Sequence, residues 1–178
     1  MKFFNIFISI IGFFAIVFIV SLFFPRTYHI KSSVIIGKPV SYTFDYLNTI
    51  TNWNDWSPWN KDLDSTLTSF YSPVKKGNGA TQYFNGKNLG HGSFIIRNSI
   101  KDSLISYSFK LHFKEADFIS GATFYFEPSE NNTLLHWVDT GDVGYNPLLR
   151  FMLPSKINST KESFNEGLQM IKKAAETK

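Results

Sequence analysis

The sequence predicts an α+β fold in which seven antiparallel strands curve around one long C-terminal helix, and three observations predict it. Residues 28–142 break into short alternating stretches separated by turn-forming residues. Residues 155–175 carry a single amphipathic helix pattern, and an uncharged apolar run from Phe3 to Phe24 precedes everything else. Strands with one apolar face need a cover, and the C-terminal helix is the long segment available to supply it.

The apolar run is interrupted only by Asn5, Ser9, Gly12 and Ser21. At about 1.5 Å per residue it spans roughly 33 Å, which matches a bilayer core. A cleaved signal peptide would show an apolar region of about 7 to 15 residues ending in a small-x-small site. Ser21-Leu22-Phe23-Phe24-Pro25-Arg26 offers no such site, so residues 1–25 read as a transmembrane anchor and 26–178 as one domain. Pro25 ends the membrane helix. A tether from Pro25 to Thr27 reaches only about 10 Å, which places the domain against the headgroups. Lys2 stands before the run, and Arg26, Lys31 and Lys38 follow it. Counting positive charges favours a cytoplasmic domain; an external domain behind a signal-anchor is the other reading.

Residues 26–178 carry seventeen Lys and Arg against fourteen Asp and Glu, a surplus of three that is too small to argue for nucleic acid and is mildly favourable beside anionic lipid. Cysteine is absent, which removes disulfides from consideration and fits either compartment.

Tyr28 to Ile36 alternates, with Ile30, Ser32, Val34 and Ile36 on one side, and is rich in β-branched residues. Val40, Phe44 and Leu47 then fall at helical spacing behind Pro39, predicting a short helix. Trp53, Trp56 and Trp59 follow at three-residue steps, an aromatic ridge on one or two helical turns that Pro58 cuts short. Six further strands are expected near 65–71, 80–84, 90–98, 104–113, 117–127 and 133–140. Their separators include Gly77-Asn78-Gly79, Lys101-Asp102-Ser103, Lys114-Glu115-Ala116 and Glu130-Asn131-Asn132. Strands so closely spaced pair antiparallel, since parallel crossovers need about a dozen residues.

Alternation assigns faces. Ile105, Tyr107, Phe109, Leu111 and Phe113 oppose Ser106, Ser108, Lys110 and His112; Phe118, Ala122, Phe124 and Phe126 form a second inward set. On the last strand the inward set is Thr133, Leu135, Trp137 and Asp139. That puts a carboxylate where an apolar side chain belongs. In the final helix Ile157, Thr160, Phe164, Gly167, Leu168, Ile171, Ala174 and Ala175 share one side.

The segments Ile36-Gly37-Lys38-Pro39-Val40 with Phe44 and Leu47, Trp53, and Trp56-Ser57-Pro58-Trp59 resemble the opening of SRPBCC superfamily domains, in their polyketide cyclase/dehydrase-like branch. Gly77 with Gly79, Gly90-His91-Gly92, Phe126-Glu127-Pro128, Trp137 and the run from Gly141 to Leu148 continue the likeness, which covers about Tyr28 to Lys173. The resemblance implies the helix-grip fold of START and birch-pollen-allergen-like domains: a seven-stranded sheet gripping a C-terminal helix, with two short helices after the first strand. It also implies a hydrophobic cavity for lipids, sterols, polyketides or hormones, with catalysis in a minority of members and no shared catalytic set to transfer. Gly37, where relatives often carry Asn or Asp, and Asp139, where they tend to be apolar, depart from the pattern.

The cavity candidates are Trp56, Trp59, Phe84, Phe94, Tyr107, Phe109, Phe124, Trp137 and Asp139. Each aromatic has a plain alternative as core packing. An inward Asp139 should hold a polar ligand end, meet Tyr107 or Gln82, or take up a proton; a bulge before Gly141 that turns it to solvent is the alternative. The four histidines, His29, His91, His112 and His136, are not expected to cluster, His112 and His136 fall on outward positions, and none has zinc spacing; His91 is the one acid or base candidate among them. No nucleophile elbow, metalloprotease helix or dinucleotide fingerprint occurs. The expectation is therefore a membrane-anchored domain binding a lipid-like or other hydrophobic small molecule, without cofactor or metal. The alternatives are a cyclase or hydro-lyase using Asp139, His91 or Tyr107, and a structural or partner-binding domain with a filled core.

Overall fold

The computed structural model describes residues 2–57 and 63–178. Helix α1 (Lys2–Ser21) is followed by strand β1 (Thr27–Ile36), helix α2 (Val40–Asn48) and a 3-10 segment, Ile50–Asp55. Six strands come next: β2 (Thr68–Tyr71), β3 (Thr81–Gly86), β4 (Gly90–Ile100), β5 (Leu104–Phe113), β6 (Ala116–Ser129) and β7 (Asn132–Asp142). Helix α3 (Pro147–Thr177) closes the chain. The seven strands form one antiparallel sheet in the order β1-β7-β6-β5-β4-β3-β2. This is the helix-grip element order.

The hairpins are tight because the turns hold three non-glycine residues in the left-handed region: Asp102, Lys114 and Glu130, at φ 56°, 55° and 56°. Between β6 and β7 the two-residue turn Glu130-Asn131 fixes a register in which Phe124 faces Trp137 and Phe126 faces Leu135. The inward sets expected of β1 and β7 hold. Ile30, Ser32, Val34 and Ile36 are buried in β1, and Thr133, Leu135, Trp137 and Asp139 in β7.

Two helices differ from their sequence readings. Helix α1 stops at Ser21, short of the expected Phe24, because the residue before proline avoids the α region; Leu22, Phe23 and Phe24 wind through a turn instead. It remains long and apolar enough to cross a membrane. Helix α3 starts at Pro147, well before Ser155. Asn146 Oδ1 accepts the Leu148 and Leu149 N–H groups at 3.0 and 3.4 Å, a side-chain cap with proline in the first helical position. Pro154 sits inside this helix and costs it one backbone bond without ending it.

The chain divides into two compact units, Met1–Ile30 with Thr140–Lys161, and Lys31–Asp139 with Glu162–Lys178. In the first, Arg150 joins the start of α3 to the exit of α1. Its guanidinium donates to the Leu22 carbonyl at 3.2 Å and to the Phe24 carbonyl through both Nε, at 3.0 Å, and Nη2. Phe24 meets Phe151 edge-on at 4.8 Å. Arg26 pairs with Asp142 at 3.1 Å and donates to the Tyr145 hydroxyl at 2.8 Å. The short tether is thus held at its backbone as well, Val143 N–H donating to the Arg26 carbonyl at 2.8 Å.

In the second unit the C-terminal half of α3 covers the sheet. Phe164, Leu168, Ile171 and Ala175 are buried, and Lys172 and Glu176 tie the helix to the end of β1 through the Ile35 carbonyl and the Gly37 N–H, each at 2.6 Å. The interior lies between the helix and the inward face of β3 to β7.

Candidate functional site

The interior is built from rings whose placement follows from strand register. Phe94 on β4 faces Phe109 on β5, Tyr107 faces Ala122 on β6, and Phe124 faces Trp137 on β7. The sheet therefore presents a continuous aromatic row. Phe94 stacks on Phe109 at 4.7 Å, Tyr107 on Phe124 at 5.7 Å, and Phe124 meets Trp137 at 4.8 Å. Gly92 lets Phe84 join the row: a Cβ there would lie 2.6 Å from Phe84 Cζ and 2.1 Å from the Lys110 carbonyl.

From the other side the 3-10 segment supplies Trp53, and Trp56 follows at its C-cap. Trp53 is fully buried, its indole N–H donating to the Leu47 carbonyl at 2.8 Å, and its ring touches Trp56, Phe94 and Tyr107 at 5.1 to 5.6 Å. Trp56 reaches Phe124 and Trp137 at 6.0 and 5.8 Å. Helix α3 closes the cluster, Phe164 lying parallel to Trp137 at 4.3 Å. Of the nine candidates, eight fall in or beside this cluster: Trp56, Phe84, Phe94, Tyr107, Phe109, Phe124, Trp137 and Asp139. Trp59 lies outside the described residues. Trp53 and Phe164 are not among the nine candidates yet both are central here; Phe164 was legible only as one apolar position on a long helix.

The polar content of this interior is small and specific. The Trp137 indole N–H donates to the Tyr107 hydroxyl at 3.1 Å. Burial pushes the Tyr107 phenol well above its ordinary range; the Trp137 bond opposes that rise and the charge of Asp139 adds to it. The hydroxyl therefore stays protonated and remains a donor. Asp139 is buried, so the bulge that would have turned it to solvent does not occur. Continuing the register one step past the Thr123–Val138 pair sets Asp139 against Ala122, whose small side chain separates it from Tyr107. Gln82, the other expected partner, turns elsewhere, donating to Asn54 Oδ1 at 2.7 Å and the Ser69 hydroxyl at 3.3 Å.

Two buried polar atoms of the second unit are left over beside these rings. The Trp56 indole N–H and the Gln82 carbonyl oxygen have no partner among the described residues. Such orphans cost free energy unless water or a ligand meets them. Tyr107 and Phe109 also keep part of their surface open, whereas Phe94, Ala122 and Phe124 are buried.

Three sequence readings need correction. Phe118 has the inward parity expected but is 52% exposed, because the β5–β6 hairpin runs past the described cover: residues 114–120 are all exposed. His136 faces outward yet is buried, its Nδ1 2.6 Å from the Ser33 hydroxyl and its Nε2 3.2 Å from Glu127 without hydrogen-bond geometry. The histidines are not all apart either. His91 and His112 are register partners with rings 4.8 Å apart, and His112 contacts Asp117 at 2.6 Å. They line a shallow depression of about 240 Å³ with Lys110 and Ile119. Among the described residues no three such side chains are placed to hold a metal ion.

No family model matches the chain, and no curated protein matches its sequence. Solved structures do. The chain is similar to the Aha1 dimer of Colwellia psychrerythraea, with 15% identity and a TM-score of 0.56 over 84% of this chain and 96% of that one. Protein MLL2253 of Mesorhizobium loti matches with 14% identity and a TM-score of 0.57 over 83% and 96%. Ara h 8.0201 matches with 11% identity and a TM-score of 0.57 over 85% and 99%. At such identities the likeness establishes architecture, and the architecture is the helix-grip fold.

Proposed function

We propose that the chain is a membrane-anchored binding protein for a lipid-like or other hydrophobic small molecule. Residues 1–25 serve as the anchor and 26–178 as the binding domain, on the cytoplasmic side. Within the resemblance noted above, the polyketide cyclase/dehydrase-like branch is retained for its enclosed interior and not for its chemistry. The carrying observation is Tyr107, deep among Trp53, Phe94 and Phe124 and partly exposed, in the same ring cluster as Trp56, whose N–H has no partner among the described residues. An apolar enclosure with two donors suits a hydrophobic molecule bearing one acceptor, and the buried Asp139 disfavours a carboxylate as that acceptor. A phenol held protonated is a poor base at neutral pH, which weighs against the proton-transfer reading.

A filled core is the second reading, favoured by ring contacts of 4.3 to 5.8 Å linking Phe164, Trp137, Phe124 and Trp56. Native mass spectrometry and solvent extraction of the full chain in lipid nanodiscs separate the two. Binding predicts a stoichiometric apolar ligand, and saturable energy transfer from the tryptophans to Nile red, whose carbonyl is an acceptor. Tyr107→Phe should then weaken that binding about tenfold, the equivalent of ~1.4 kcal/mol. A ligand-free protein whose Nile red signal matches empty nanodiscs would leave the filled core. Reporter fusions at the C-terminus test the side of the membrane.

A further inference from the structure

In the first turns of α3 the buried and exposed faces are reversed in chemistry. Arg150 is buried at 6% exposure, and Leu153 beside it at 1%. Leu148, Leu149 and Met152, which share the opposite face at i, i+1 and i+4, are exposed, Leu148 at 65% and Met152 at 57%. Within the same compact unit Phe23 and Tyr145 are exposed as well. A soluble helix would show the opposite arrangement.

What covers this face follows from what Arg150 holds. Its guanidinium binds the carbonyls of Leu22 and Phe24, the first residues past the end of α1. Helix α1 has 20 residues, about 30 Å, so if it crosses the hydrocarbon its exit lies at the headgroup boundary. One helical turn from Arg150, Leu148, Leu149 and Met152 lie at that same depth. Tyr145 is of the residue type that favours this zone. Lys156, exposed within the same unit, adds positive charge complementary to lipid phosphate.

We infer that residues 145–152 form an interfacial collar, in which Leu148, Leu149 and Met152 enter the headgroup and acyl boundary of the bilayer that α1 spans. The occupant of this apolar face is phospholipid. The inference rests on the anchoring reading of α1, and the test separates the two.

The chain has no cysteine, so single nitroxide labels can be placed cleanly. Leu149→Cys, Met152→Cys, Ile10→Cys and Glu166→Cys variants of the full chain are reconstituted in vesicles of equal parts phosphatidylcholine and phosphatidylglycerol. Collision with oxygen is then compared with collision with a water-soluble nickel complex. The expected result is an oxygen preference several-fold above that of the Glu166 label at positions 149 and 152, and a larger one at position 10. Water-like labels at 149 and 152 with position 10 in the acyl core would overturn the collar and leave the anchor standing. A water-like label at position 10 would overturn both. Labels at 149 and 152 shielded from both reagents and broadened by spin–spin coupling would assign the face to a second copy and overturn the lipid assignment.

Discussion

Gly167 is where the packing of the interior can be tested most directly. A methyl group there would lie 2.6 Å from Cζ3 and 3.2 Å from Cη2 of Trp137, so the indole or the helix must move. The indole has little freedom: Phe164 lies parallel against it, Phe124 abuts it at 4.8 Å, and its N–H is bonded to Tyr107. Two effects oppose one another in Gly167→Ala. Alanine gains about 1 kcal/mol of helix propensity over glycine. Overpacking a fixed ring costs typically 1 to 3 kcal/mol. With the ring clamped on three sides, the upper half of that range applies and the net loss is about 1 to 2 kcal/mol. For a chain of this size that lowers Tm by about 2 to 8 °C. Circular dichroism melts of the full chain in a fixed detergent measure it. The same substitution in a Trp137→Phe background, which deletes the atoms in the way, should instead raise Tm by about 2 to 4 °C. The clamp is refuted if Gly167→Ala raises Tm in both backgrounds, because the indole would then have had slack to retreat into.

Asp64 is buried and accepts the Thr66 hydroxyl at 2.6 Å and three backbone N–H groups, of Thr66, Asn88 and Leu89, at 2.8 to 3.1 Å. Led by the Thr66 hydroxyl, these bonds lower its pKa to about 2. A depressed pKa stabilises the fold in full above the ordinary carboxylate value and loses that contribution as pH falls towards 2. Asp64→Asn should therefore reduce Tm at neutral pH and flatten its slope between about pH 4 and pH 2; an unchanged slope counts against the carboxylate. Arg150→Ala removes the three bonds to the Leu22 and Phe24 carbonyls, so limited trypsin treatment of the membrane-bound chain should cut faster at Arg26 and Lys31. Equal cutting would show that the junction is held by other contacts. Glu130 occupies the left-handed region at φ 56°, where an L side chain costs roughly 1 kcal/mol. Glu130→Gly should raise Tm by about 2 to 4 °C, and a fall would place a needed contact on the glutamate side chain.

The parts of this molecule that could be read from sequence are those set by strand period. Alternation placed Thr133, Leu135, Trp137 and Asp139 on one face, and all four are buried. Period assigns a face but does not say how far the cover extends, which is why Phe118 has inward parity and open surroundings. Nor does it bring distant residues together. His91 and His112 meet only through the β4–β5 register, and Tyr107 lies near Asp139 only across β6. The start of α3 was hidden by Pro154, which reads as a break but is carried by a helix already capped at Asn146. The aromatic candidates were legible as a set, because residues at alternate positions on adjacent strands converge on one interior. The hydrogen bond that distinguishes Tyr107 from its phenylalanine neighbours depends on where Trp137 points, and that is a tertiary fact.

The sheet is open, and β2, the strand at one end of its order, is four residues long. If α1 holds the chain in a bilayer, as proposed above, copies diffuse in two dimensions and meet in a shared orientation, which raises their effective concentration and favours strand-to-strand addition. A border this short offers an incoming strand few backbone groups to pair with. A growing ribbon needs both edges of the sheet, so the short β2 edge limits it even though β1, at the other end of the order, has ten residues.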